Sequence, residues 1–173
     1  MGNSGAATIL LYVVIAAFVI WRVVIRQLRG STLSLRSLWL VPGILLVIGL
    51  VDTVPALPGS SGTEIGLLVA DLAVLVVLGV LRGNSVAVSQ RAGFAFQKGG
   101  ATTLVLWIVT IAVRVGFIVL GTGMHAAGAL TSASIWLTVG LSIGVQNAVI
   151  FLRVQKLGLP VAADRRQASR VGR

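Results

Sequence analysis

A charged side chain inside a long apolar stretch is costly, so its position carries information. Two such residues stand out. Asp71 lies in GLLVADLAVLVV, and Arg114 lies in TLVLWIVTIAVRVGFIVLG. The chemistry open to this pair is a proton or ion step, the anchoring of an anionic ligand, or a salt bridge that fixes helix register. A second polar feature follows. Ser134, Thr138, Ser142 and Gln146 recur at i, i+4 spacing and form one helical stripe, with Asn147 beside it. Such a stripe either hydrogen-bonds between helices at close range, as the neighbouring Gly140/Gly144 G-x-x-x-G suggests, or lines a polar path facing the Asp71–Arg114 pair. Gly62/Gly66 and Gly79/Gly83 match the same pattern, but with 21 glycines they are read as chance matches at helix ends.

Other chemistries lack their residues. There is no cysteine, which removes thiol redox, disulfides and thiolate metal sites. One histidine, His125, and four acids make a multi-ligand metal site improbable. Asp52 and Glu64 flank one loop and are read as helix-end carboxylates or a weak cation pair. No P-loop, G-x-S-x-G or H-E-x-x-H occurs. The expectation is a protein that is not an enzyme and holds no cofactor or metal.

The elements that must carry these residues follow from hydropathy. Of 173 residues, 57% are hydrophobic and only 10% are charged. Soluble domains carry about 25% charge, so the deficit and the repeated apolar runs predict an integral membrane protein. Its fold class is all-α, a bundle of five transmembrane helices over residues 6–25, 37–53, 63–81, 100–120 and 131–152. Residues 1–156 form one domain, and 157–173 form a basic, disordered tail. Residues 1–5 have neither a basic region nor a cleavage site, so the first span is expected to be retained. Pro42 is placed in the first turns of the second span, where it is tolerated. Between the third and fourth spans, SVAVS and FAFQ alternate around a Gly-containing turn, a pattern that fits either a β-hairpin or irregular coil.

The net charge is +10, from fourteen Lys/Arg against four acids. Thirteen of the fourteen cations fall in the first and third connections and after the last span, and none in the other loops. The positive-inside rule then predicts an outside N-terminus and a cytoplasmic C-terminus. It also explains the basicity without nucleic acid, for which no folded reader is present. Arg82 is counted among the loop cations in this reading. At 1.5 Å per residue, Asp71 and Arg114 sit roughly 10 and 9 Å below the outer ends of their antiparallel helices, so a salt bridge between them is predicted. The tail arginines are expected to touch anionic lipid head groups.

Several motifs in order resemble a known group. Arg26–Arg29 read RQLR at the end of the first span, and Trp39–Gly43 read WLVPG in the second. Leu81–Gly83 (LRG) leads through the alternating loop to Lys98–Thr102 (KGGAT), then to Trp107 and Arg114 in a W-x₆-R span. Over residues 15–120 this ordering resembles the CcdC-like family of small bacterial integral membrane proteins. That resemblance implies a multi-pass protein of the bacterial inner membrane and an association with cytochrome c biogenesis, and it implies no defined chemistry. Lacking cysteine, this chain has no thiol for a relay in haem attachment.

The function expected is therefore that of a non-enzymatic accessory or scaffold component. It would act through helix contacts in the bilayer, as a homo-oligomer or with a membrane-protein partner. The alternative is a small transporter or ion-coupled carrier built on Asp71 and Arg114.

Overall fold

The computed structural model describes residues 30–91, 93–124 and 129–161. The first predicted span, 6–25, His125 and the tail beyond 161 lie outside them. Helices α1 (Leu35–Thr53), α2 (Gly62–Ser85), α3 (Ala101–Gly123) and α5 (Ile135–Lys156) are long, and a one-turn helix α4 (Ala129–Ala133) precedes α5. Three short strands, β1 (Ser31–Thr32), β2 (Ala87–Arg91) and β3 (Phe94–Lys98), complete the described chain.

Four helical stretches of 22, 24, 23 and 27 residues are long and apolar enough to cross a membrane. Their outward faces suit lipid: Val47, Val51, Ile108 and Val119 are each about 60% exposed or more. An apolar exterior around a polar interior marks a membrane protein. The helices alternate in direction, so α2 and α5 run parallel to each other and α1 and α3 run against them. α5 is central and packs most extensively on α1 and α2, while α3 packs on α2.

Small residues set the helix spacing. A Cβ added at Gly140 would lie 2.8 Å from the Leu46 amide nitrogen of α1. One added at Gly83 would lie 2.6 Å from the Val149 Cβ of α5. Gly79 likewise abuts the Ser142 carbonyl and Val145. The Gly79/Gly83 pair, read from sequence as chance, is therefore a close-approach seam. Gly62 and Gly66 meet nothing. α2 also extends four residues beyond the predicted end at Leu81.

Pro42 differs from expectation too. α1 begins at Leu35, so Pro42 falls inside the helix and not in its first turn. Having no N–H, it leaves the Leu38 carbonyl without its helical donor. Asn147 Nδ2 of α5 donates to that carbonyl at 2.8 Å.

At the opposite end from the Val54–Gly59 3₁₀ turn, the chain forms a three-stranded antiparallel sheet in the order β1-β3-β2. Of the two alternatives for the loop between the third and fourth predicted spans, hairpin or coil, β2 and β3 form the hairpin, turning at Gly93 with φ 78°. The pairing of β1 to β3 was not foreseen. Leu33, Leu38, Val86, Ala95, Ile150 and Val154 form a compact apolar cluster there. α5 ends in a Schellman motif. Gly158 (φ 62°) bonds Gln155, and Leu159 N donates to Val154 O at 3.2 Å. The chain then turns back, so that the Pro160 carbonyl accepts from Ala95 N and Leu159 and Val161 pack on the cluster. Residues 157–161 thus pack with the bundle.

Candidate functional site

α2 exposes one inward stripe. Asp71, Leu75, Leu78 and Arg82 are spaced four, three and four apart and are all buried. The start of that helix is held by a capping box: Ser61 Oγ accepts from Glu64 N, and Glu64 Oε2 accepts from Ser61 N. This accounts for Glu64, while Asp52 is exposed at the end of α1.

Asp71 and Arg114 lie nine residues from the near ends of α2 and α3, so both sit about 13 Å deep by helical rise. Antiparallel packing brings them together, and Arg114 Nη1 donates to Asp71 Oδ2 in a salt bridge. The Asp71 side chain is 1% exposed and that of Arg114 is 18% exposed. Arg114 Nη2 donates to the Thr131 carbonyl and to Ser134 Oγ, each at 3.3 Å. The Ser134 hydroxyl in turn donates to the Thr131 carbonyl. The pair is therefore tied to the junction of α4 and α5. Among the described residues Asp71 Oδ1 has no hydrogen-bond partner.

Arg82, read from sequence as a loop cation, is fully buried within α2. Its guanidinium lies 4.1 Å from the centroid of the Trp107 ring on α3. Its Nη2 donates to the Ser142 carbonyl at 3.0 Å and to the Ser142 hydroxyl. No carboxylate pairs with it among the described residues. The glycine seam explains the reach, because Gly79 and Gly83 on either side allow α5 to approach closely. The stripe spacing from Asp71 was the signal that could have found Arg82.

Arg153 is a second reassigned cation. Its Nη1 donates to the carbonyls of Gly83, Asn84 and Val86 at 2.7–3.0 Å. These are carbonyls freed at the C-terminus of α2, where Val86 turns to extended backbone.

The predicted α5 stripe is divided among these partners. Ser134 reaches Arg114 and Ser142 reaches Arg82. Thr138 is buried and bonds the Ile135 carbonyl of its own helix. Gln146 is fully buried, and neither amide atom has a hydrogen-bond partner among the described residues. Asn147 faces α1 and answers Pro42. Only Ser134 faces the Asp71–Arg114 pair, so the stripe does not form one continuous lining for it.

Beside the pair is a small, half-open cleft of about 20 Å³, bordered by Glu64, Leu67, Leu68, Asp71, Arg114, Phe117, Ile118, Gly121, Leu130, Thr131 and Ser134. Its polar floor is the ion pair and its walls are apolar. Among the described residues, no three His, Cys, Asp or Glu side chains gather as a metal would require. The geometry holds a charge pair at Asp71 and Arg114 and leaves room beside it for little more than one water-sized group. Comparison of the chain with protein-family models, with curated proteins and with solved structures finds no match.

Proposed function

We propose that this protein is a non-enzymatic accessory component of the bacterial inner membrane, working through helix contacts as a homo-oligomer or with a membrane-protein partner. The observation that carries the reading is how the interior charges are used. Arg114 joins α3 to α2 and to the α4–α5 junction, Arg82 joins α2 to α3 and α5, and Arg153 caps α2. Polar groups engaged in holding helices together favour a packed, static bundle over a moving one. Residues 6–25 form a fifth span in this proposal, with the N-terminus outside and the C-terminus cytoplasmic. The sheet end then lies inside, where exposed Arg36, Arg91, Lys98 and Lys156 meet anionic head groups. The resemblance to the CcdC-like family agrees with this setting.

Gentle extraction of the tagged protein from native membranes, with mass spectrometry of what co-purifies, tests the reading. A stoichiometric membrane partner or a stable homo-oligomer supports it, and a lone monomer counts against it. Cysteines introduced at Ser4 and Ser169 label from opposite membrane faces if five spans are present. Labelling from one face removes the five-span topology.

The pocket at Asp71 and Arg114 favours a second reading, a small carrier. Transport that is lost in Asp71→Asn and retained in Arg91→Gln would move the protein to that class.

A further inference from the structure

The central helix α5 has two assigned faces and two flanks between them, and the flanks differ. Gly140, Gly144 and Asn147 meet α1, while Ser142, Val145 and Val149 meet α2. At about 100° per residue these sets lie on nearly opposite sides of the helix. Leu141, Ala148 and Leu152 fall on one flank, where Leu152 is 55% exposed. Val139, Ile143 and Gln146 fall on the other, where Ile143 is 6% exposed and Gln146 is fully buried. Ile143 is not part of the apolar cluster at the sheet end. Arg82 reaches from α2 to both Ser142 and Trp107, so α3 stands on this second flank. Yet α3 packs on α2 and hardly on α5. The result is a groove floored by Val139, Ile143 and Gln146 and walled by α1 and α3. None of the described helices fills it.

The chain itself points to the occupant. Residues 1–29 precede Gly30 and include the apolar run 6–25, whose single charge, Arg22, lies in its last turn. As a helix that run is about 30 Å long, enough to cross a bilayer. After it, Leu33 N donates to Ala95 O at the sheet end, and α1 starts at Leu35. A span leading to that end runs parallel to α5 and antiparallel to both walls, α1 and α3. Its short tether to α1 gives it a high effective concentration at the groove, ahead of lipid or a second chain. Ala16 and Ala17 in mid-run are small enough for close helix approach.

We propose that residues 6–25 pack as a helix into this groove, against Val139, Ile143 and Gln146 of α5 and between α1 and α3. The proposal rests on the five-span reading and adds the place of the fifth span, which makes α5 the central helix of the bundle. The depth follows as well. Asn147 meets Leu38, three residues into α1. By the same rise, a span ending at Ile25 puts Phe18 level with Ile143.

The test is disulfide trapping in the full-length protein in native membranes, which has no cysteine of its own. Ile143→Cys is combined with a second cysteine stepped through residues 15–21 and oxidised with copper phenanthroline. Cyanogen bromide then cuts at Met124, the internal methionine, and separates α5 from the first span unless a disulfide joins them. The expected result is a chain of single mass that stays in one piece at positions three or four apart. With Leu141→Cys, level with Ile143 on the other flank, the fragments should separate. Val139→Cys with residues 11–17 serves if Ile143→Cys does not assemble. Separated fragments at every position, equal joining from Leu141→Cys, or joining only between two chains, seen as a doubled mass before cleavage, would each overturn the proposal. The labels at Ser4 and Ser169 tell two failures apart. Opposite-face labelling without joining overturns the packing alone, and same-face labelling overturns the span as well.

Discussion

Arg114 and Arg82 are guanidinium groups inside one bundle, and they are accommodated in opposite ways. Arg114 meets a carboxylate, with a serine hydroxyl and a backbone carbonyl in support. Arg82 meets no carboxylate among the described residues, but a tryptophan face and the hydroxyl and carbonyl of Ser142. Depth separates them. Arg114 is nine residues from the end of α3, and Arg82 is three residues from the end of α2, about 5 Å by helical rise. A charge near the interface costs less than one deeper in the bilayer, so Arg82 is held by a π-face and Ser142 alone, with its Nε and Nη1 lacking a hydrogen-bond partner among the described residues. At Arg114 the neutralisation is by a full charge, which makes each partner dependent on the other.

The contrast can be broken by substitution. The largest effect is expected from Arg114→Leu. It strands a buried carboxylate and should cost about 3–5 kcal/mol in equilibrium unfolding. Arg82→Leu removes a charge and strands none, so it should cost about 1 kcal/mol or less. If Arg82→Leu were the worse of the two, an unpaired arginine would be contributing more than a paired one, and the comparison would fail.

Next in size is the glycine seam that brings α5 within reach of Arg82. Gly83→Leu drives a side chain into Val149 and should cost about 1–3 kcal/mol, while Gly66→Leu at an open position should be close to neutral. Equal unfolding midpoints for the two would mean that α2 and α5 are not in close approach.

The smallest effect sharpens the comparison in a neutral setting. Asn147→Leu leaves the Leu38 carbonyl bare and should cost about 1 kcal/mol. In a Pro42→Ala background the helix supplies its own donor, and the same change should cost about half of that or less. An undiminished cost in that background would show that Asn147 does something other than answer the proline.

Much of this was legible in the sequence. The apolar runs mark the four described spans, and helical rise alone brings Asp71 and Arg114 to matching depth. Alternation around Gly93 fits the β-hairpin and an irregular coil alike, and the pairing of β2 with β3 decides for the hairpin. Arg82 was missed because an apolar run was ended at its first charge, whereas an arginine over a tryptophan continues the helix. Gly79 and Gly83 were discounted for the same reason, since a helix ending at Leu81 puts them at its edge. A helix starting near Ser37 puts Pro42 in its first turns, whereas the helix starts at Leu35 and Pro42 lies inside it, where the Leu38 carbonyl needs Asn147. β1 is two residues long and has no periodicity to read; it exists because β3 offers an edge. The fold of 157–161 depends on Gly158 and on a surface made by strands distant in sequence.

The helix seams and the sheet end also differ in what holds them. In lipid, apolar side chains gain little by meeting one another, so the seams rely on glycine, hydroxyls and ion pairs. The apolar cluster of Leu33, Val86, Ala95 and Val154 appears at the sheet end, where strands and turns replace membrane-length helices.

The most direct test of the mutual dependence of Asp71 and Arg114 is reversible unfolding of Arg114→Leu against Asp71→Asn plus Arg114→Leu, with the wild type and Asp71→Asn completing the double-mutant cycle. Arg114→Leu alone should be the less stable of the two, by about 1–3 kcal/mol, because the second change removes the stranded charge. Equal stability of the single and double variants would contradict a buried ion pair between α2 and α3.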